Sequence, residues 1–148
     1  MLSLQQALAG LALIRQSPPL SFSTLIGTAS VTQVLLVLRE RVTGGVHQVP
    51  SAAEVRASLA AMAQFAGVFP VGQPLALLLR GQDLRQQGKL SKAVAHVRAA
   101  FAAASAHDMP YEMAAASAAL ARWGNDRATD TATTDPVMLM PTYSRAGG

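Results

Sequence analysis

Residues 75–123 read LALLLRGQDLRQQGKLSKAVAHVRAAFAAASAHDMPYEMAAASAALARW and predict three successive α-helices joined by two short turns. Gly88-Lys89 predicts the first turn, and Asp108-Met109-Pro110 predicts the second. We expect Asp108 to accept a hydrogen bond from the first turn of the third helix. Pro110 has a φ angle already suited to that turn. Together these signals predict an all-α protein.

The middle helix, from about Leu90 to His107, has a regular apolar pattern. Its larger apolar residues recur at steps of three and four, which places them on one helix face. We expect that face to pack inward. Its members are Val94, Val97, Phe101 and Ala104.

Gly81 lies inside the first helix of the three, from about Gln73 to Gln87. A glycine inside a helix costs about 1 kcal/mol relative to alanine, so it indicates a packing requirement. We expect the neighbouring helix to approach closely there, with Ala93 and Ala100 as its small residues. The spacing of Gly81, Gly88, Ala93 and Ala100 is typical of a tetratricopeptide-type helix pair.

Residues 65–123 resemble the C-terminal, tetratricopeptide-like helical region of large bacterial signalling ATPases that are fused to adenylate or guanylate cyclase or protein kinase domains. The elements that carry this resemblance are Phe69-Pro70, Gly81, the Gly88-Lys89 turn followed by Ala93, and the helix start Met109-Pro110-Tyr111-Glu112. In that family the region is a non-catalytic helical scaffold. The resemblance therefore implies a scaffold and assigns no catalytic residue.

The composition predicts one domain with a core of small aliphatic side chains. The 148 residues are 51% hydrophobic but only 5% aromatic, and they include no cysteine. The absence of cysteine excludes disulfides and thiolate metal sites, and it is compatible with a cytoplasmic protein. The net charge is +4, yet only 14% of residues are charged. This low charge density favours a surface covered by another protein over a nucleic-acid-binding face.

Two helices are predicted upstream of residue 50. Residues 1–16 form the first, which lacks the features of a signal peptide. The second extends from about residue 21 to residue 42, and the following Gly44-Gly45 predicts its end. Residues 16–38 contain no charged residue, so a membrane-associated subunit that uses residues 20–38 stays an alternative. The prolines and hydroxyl residues in this segment favour a helix buried by neighbouring helices instead.

A third upstream helix begins at Ser51. Ser51 and Glu54 have the spacing of a capping box, in which each side chain bonds to the other residue's backbone amide. The inward stripe of this helix is predicted to be Val55, Leu59, Met62 and Phe65 or Ala66. The domain of about six helices would then extend over residues 1–124.

The composition changes after Trp123. Gly124 and Asn125 can both adopt the left-handed conformation that ends helices, so they predict the end of the last helix. Residues 125–148 are then predicted to be a flexible tail. The tail contains a short apolar island at 137–140, and Met138, Leu139 and Met140 are candidate partner-binding residues.

The sequence assigns no catalytic, cofactor-binding or metal-binding residue. The segment GQDLRQQGKLS at 81–91 fails as a phosphate-binding loop because the glycine spacing is wrong and Leu90 replaces the required hydroxyl residue. The three histidines, His47, His96 and His107, have no carboxylate at ligand spacing. We therefore predict no enzyme, no cofactor and no small-molecule substrate.

Basic residues concentrate in one segment, at 80–98. They are Arg80, Arg85, Lys89, Lys92 and Arg98. A contact with phosphates or with an acidic partner is one interpretation, and a solvated helix face is the other. Trp123 is interpreted as a core residue or as an interface residue.

The function predicted from these features is a non-catalytic interaction or scaffold module, a subunit of a larger assembly that binds another protein. The two alternatives are a membrane-associated accessory subunit and a nucleic-acid contact through residues 80–98. We expect a cytoplasmic location, with any membrane association made through a partner.

Overall fold

The computed structural model describes residues 3–16, 22–41 and 49–133, which form six α-helices and no strand. The helices are α1 Leu4–Gln16, α2 Phe22–Glu40, α3 Ala52–Val68, α4 Gln73–Gln86, α5 Leu90–Ala106 and α6 Pro110–Thr133. A short 3₁₀ helix, Pro70–Gly72, joins α3 to α4. The all-α prediction is confirmed.

Each helix packs against the one before it, and α4 also contacts α2 and α6. The even-numbered helices therefore lie side by side, and α1 contacts α3 in the same way. This alternation is compatible with the predicted tetratricopeptide-like stack. It produces two hydrophobic cores, one mainly between α1, α2 and α3 and one between α4, α5 and α6. Helix α4 contributes Leu79 to the first core, and Leu78 and Leu84 to the second.

Helix α2 has buried hydroxyl residues on the side that faces α3. The Thr28 and Thr32 hydroxyls each donate to the carbonyl oxygen four residues earlier, and Thr32 is also hydrogen-bonded to Ser58 of α3. Because these bonds satisfy the hydroxyl groups, Thr28, Thr32 and Ser58 can lie in the core without a desolvation penalty.

Helix α3 begins as its sequence predicts. The Glu54 amide donates to the Ser51 hydroxyl at 3.2 Å, and the Ser51 amide donates to the Glu54 carboxylate at 2.6 Å. The capping box is thus confirmed. The predicted inward stripe is also buried, with Ser58 as an additional member.

The turns at both ends of α5 contain a residue with a positive φ. Gly88 has φ 76°, and the following Lys89 amide donates to the Leu84 carbonyl. Asp108 has φ 51°, and the following amide donates to the Ala104 carbonyl. The left-handed backbone of Asp108 therefore closes α5, and Met109 lies between Asp108 and the first residue of α6. The expectation that Asp108 caps α6 is wrong.

The inward face of α5 is narrower than its apolar pattern predicts. Its buried residues are Ala93, Val97, Ala100 and Ala104. Phe101 is exposed rather than buried, which corrects the prediction for that residue. Three of the four buried side chains are single methyl groups, so α4 and α6 can both pack close to the backbone of α5.

Gly81 lies where α4 packs closely against α5. A β-carbon at position 81 would lie 2.7 Å from Val97 Cγ2 and 3.3 Å from the Ala93 carbonyl oxygen. Both distances are shorter than an ordinary van der Waals contact, so the packing of this pair requires the missing side chain.

Helix α6 is longer than predicted. It continues through Gly124 and Asn125 to Thr133, so the prediction of a helix end at Gly124 is wrong. Glycine and asparagine tolerate the left-handed conformation but do not impose it, and here the helix does not end at them. The predicted end of the second helix at Gly44-Gly45 and the apolar island at 137–140 lie outside the described residues.

One predicted alternative concerns a membrane-spanning segment. Within the described part of the chain, no helix combines the length and the apolar content needed to cross a bilayer.

Candidate functional site

An apolar groove lies between α3 and α5, with α4 as its floor, and it has a volume of about 650 Å³. We call it the outer groove. Its lining residues are Arg56, Leu59, Ala60, Ala63, Ala66, Gly67, Gln73, Ala76, Leu77, Arg80 and His96. The groove is open to solvent along its outer side. Its volume lies within the range of roughly 300–1,000 Å³ that ligand sites occupy.

The α3 wall of the outer groove contains a row of small side chains. Ala60, Ala63 and Gly67 are exposed and recur at helical spacing, so they line one side of the helix. From Arg56 to Gly67 this wall is roughly 16 Å long, at 1.5 Å per residue. The part of the wall from Ala60 to Gly67 is apolar and nearly flat, because none of the three side chains extends beyond a methyl group.

The charged groups of the outer groove are cationic, and none of its lining residues is acidic. Arg80 Nη1 donates to Asp83 Oδ2 at 2.8 Å, but 45% of the Arg80 side chain stays exposed. Arg56 is also exposed, and no carboxylate among the described residues lies within ion-pair distance of it. His96 Nδ1 lies 2.9 Å from the Lys92 carbonyl oxygen.

The cationic groups of the outer groove lie toward one of its ends. Only residues 69–72 separate α3 from α4, so the two helices form a hairpin and run in opposite directions. Gly67 and Gln73 consequently lie near the connection, and Arg56 and Arg80 lie away from it. His96 lies beside Gly81 and therefore near Arg80. The groove is apolar near the connection and positive at the other end.

The buried carboxylate of Asp83 fixes the position of Arg80. Its Oδ2 accepts from Arg80 at 2.8 Å and from Gln87 Nε2 at 2.9 Å, and its Oδ1 accepts from Arg39 of α2 at 2.8 Å. Arg39 Nε also donates to Gln86 Oε1 at 2.7 Å. Asp83 lies within the basic segment 80–98, and the sequence does not reveal this network because Arg39 is 44 positions away.

A second, smaller pocket of about 260 Å³ lies between the even-numbered helices α2, α4 and α6. Trp123 lines its base, and the Arg85 guanidinium lies 5.7 Å from the centre of the Trp123 ring. Arg85 Nη1 is also 3.7 Å from Glu40 Oε1. Trp123 is only 2% exposed, so nearly all of its surface is used within the core and little is available to a partner.

The five basic residues of segment 80–98 do not form one surface. Arg80 lines the outer groove, and Arg85 lines the pocket between α2, α4 and α6. Lys89 donates to Gln87 Oε1 at the turn, and Lys92 and Arg98 are exposed on α5. These basic residues are close together in the sequence, but the helical hairpin places them on different surfaces.

Sequence analysis does not identify Arg56 as a site residue. The row of small residues at helical spacing on α3 could have indicated this region, because it predicts a helix face on which another element can pack. Met138, Leu139 and Met140 lie outside the described residues, as does His47. Within the described ranges, no three His, Cys, Asp or Glu side chains are grouped as metal ligands.

Comparison with protein-family models, with curated proteins and with solved structures finds no match to this chain. The resemblance to the helical region of bacterial signalling ATPases stays a prediction.

Proposed function

We propose that this chain is a non-catalytic protein-interaction module, a scaffold subunit that binds a partner protein in the outer groove. The observation that carries the proposal is the groove itself, which is largely apolar, has a volume of about 650 Å³ and lies on the outside of the helices. Apolar surface that stays in contact with water is unfavourable by roughly 25 cal/mol for each Å², so a partner that covers the groove gains this free energy.

The shape of the groove favours a macromolecule over a small substrate. Sites for small molecules enclose most of their ligand and place a few polar groups to orient it. The outer groove is open along its side, and the middle of its α3 wall consists of alanine and glycine, which offer a flat surface and no polar group to orient a small ligand. Stacked helices commonly bind partners through extended surfaces of this kind.

Site-specific photo-crosslinking tests the proposal directly. Because the chain has no native cysteine, Ala63→Cys introduces a unique thiol on the groove wall. A benzophenone maleimide attached there should crosslink to a discrete partner protein when the full chain is incubated with extract from its source organism. Mass spectrometry would identify the partner, and its purified form should compete for the crosslink.

The matched control is Ala102→Cys, at an exposed position of α5 that does not line the groove. We expect no discrete product from this variant. Identical products from the two variants, or no product from Ala63→Cys, would contradict the proposal.

A further inference from the structure

We propose that the occupant of the outer groove is an amphipathic helix of the partner, with its acidic residues gathered in one terminal turn. This inference rests on the proposed function and names the chemistry of the partner. Three properties of the groove support it, namely its length, the small residues of its wall and the position of its charges.

The length and the wall of the groove fit a helix. A wall of roughly 16 Å corresponds to about three helical turns. Helices approach each other closely where one of them has small residues, as α4 and α5 do at Gly81. Ala60, Ala63 and Gly67 offer the same kind of surface to a further helix, and their side chains are exposed. An apolar stripe on that helix would cover the groove floor at Ala76 and Leu77.

The charge distribution determines which helix fits. Arg56, Arg80 and His96 lie toward the same end of the groove, and no lining residue is acidic. Carboxylates in the terminal turn beside Arg56 and Arg80 would form ion pairs that are partly removed from water. Carboxylates at the other end would face only small and neutral residues. The groove therefore favours acidic residues at one end of the bound helix and an apolar stripe along the rest.

The same charges disfavour a second copy of this chain as the occupant. The chain has 12 Lys and Arg residues but 8 Asp and Glu residues, for a net charge of +4. A second copy therefore brings mainly the same sign of charge to a cationic groove, whereas an acidic partner brings the opposite sign.

Three stapled peptides of about 14 residues test the inference against the full-length chain. They share one Leu/Ala stripe and differ only in a terminal turn, which contains two Glu, two Gln or two Lys residues. Fluorescence anisotropy would measure their affinities. We expect the Glu peptide to bind about tenfold more tightly than the Lys peptide, with the Gln peptide between them.

Two charge-reversal variants provide the matched comparison. Arg56→Glu should invert the order, so that the Lys peptide binds more tightly than the Glu peptide, because Arg56 has no described internal partner to compensate. Arg98→Glu changes the net charge equally at an exposed position outside the groove and should leave the order unchanged. Circular dichroism would check that both variants are folded. Arg56→Gln serves as the milder substitution and should reduce the difference between the affinities of the Glu and Lys peptides, because Arg80 remains in the groove.

A third variant separates this inference from the proposed function. Ala63→Trp fills the groove wall and should prevent binding of all three peptides. Equal affinities of the three peptides, all lost in Ala63→Trp, would overturn the acidic helix and leave the interaction groove intact. No binding of any peptide would also overturn the acidic helix, and the crosslinking experiment would then decide the proposed function independently.

Two further outcomes would assign the groove to this chain itself and overturn the inference. One is a gain in affinity for all three peptides when Leu139→Asp alters the apolar island, because the chain's own segment would then have occupied the groove. The other is a dimer in light scattering that Ala63→Trp dissociates.

Discussion

At position 81 the packing of α4 on α5 leaves no space for a methyl group. The atoms that a β-carbon would meet are Val97 Cγ2 and the Ala93 carbonyl oxygen. Val97 is fully buried and its branched side chain has few alternative rotamers, and the carbonyl belongs to the α5 backbone. Relief therefore requires a shift of the whole helix.

We expect Gly81→Ala to destabilise the protein by about 1–3 kcal/mol, the usual effect of overpacking a core. Helix propensity alone would predict the opposite effect, an increase of about 1 kcal/mol in the free energy of unfolding. Urea denaturation followed by circular dichroism would measure the free energy of unfolding. The matched control is Gly124→Ala in α6, where a β-carbon meets no atom within 4 Å, and this variant should be more stable than the wild type.

The contact with Val97 can be isolated by a double-mutant cycle. Val97→Ala removes the methyl groups that a β-carbon at position 81 would meet. Val97→Ala should therefore reduce the free energy of unfolding less in the Gly81→Ala variant than in the wild type. Strictly additive effects would show that the steric explanation is wrong.

Single residues differ in how well the sequence predicts them. Gly81, Ala93 and Ala100 are informative because a small residue at helical spacing has a definite meaning for packing. Phe101 is not, because a periodic pattern specifies a helix face only to within about one residue position. Gly124 is ambiguous for another reason, since glycine permits a helix end without requiring one.

At the scale of elements, α4 is the helix that joins the two halves of the stack. It contacts α2, α3, α5 and α6, and Asp83 on α4 forms an ion pair with Arg39 of α2 at 2.8 Å. Asp83 is 1% exposed, so its carboxylate depends on these partners for its hydrogen bonds. The exposed ion pair between Arg85 and Glu40 links the same two helices at 3.7 Å.

We expect Asp83→Asn to destabilise the protein by about 2 kcal/mol. Removal of one member of a fully buried ion pair costs roughly 3–5 kcal/mol, and the lower value allows for the exposure of Arg39 and Arg80. Thermal and urea unfolding would measure the change. Glu40→Gln breaks the exposed pair between the same helices and should alter stability by less than about 1 kcal/mol. Equal effects of the two substitutions would contradict the structural role of Asp83.

Most helix starts follow from local signals, but contacts between residues that are distant in sequence do not. Ser51 and Glu54 define the start of α3 because both partners lie within one turn. Asp83 and Arg39 are far apart in sequence, and a charged residue gives no indication of which distant partner neutralises it.

For the whole molecule, the two cores share α4, and the single tryptophan lies in the core formed by α4, α5 and α6. Trp123 is buried there with Val97 and Ala116. Met62 is fully buried in the other core. Because α4 contributes leucine residues to both cores, loss of packing in one should weaken the other.

We expect Met62→Ala to reduce stability by about 2–5 kcal/mol, the usual cost of such a truncation. Trp123 fluorescence and circular dichroism should report the same shift in the unfolding midpoint, since the two cores unfold together. Tyr111→Ala, at a position that is 81% exposed, should shift neither signal. If the fluorescence midpoint of Met62→Ala stays at the wild-type value, the two cores unfold separately.

The outer groove is the part of the molecule that the sequence predicts least. Its residues come from three helices, and its size depends on the angle between α3 and α5, which no local pattern specifies. The small residues on α3 indicate that something approaches that helix. They do not show whether the approaching element belongs to this chain or to another.

The alternation of the helices imposes a rule of parity on this architecture. In a tetratricopeptide-like stack, odd-numbered and even-numbered helices form opposite surfaces. The loss or gain of one helix would then move every later helix to the other surface. A change by a whole hairpin preserves them. Homologues that keep the Arg56 groove should therefore differ in length by pairs of helices, and grafted hairpins should be tolerated where single helices are not.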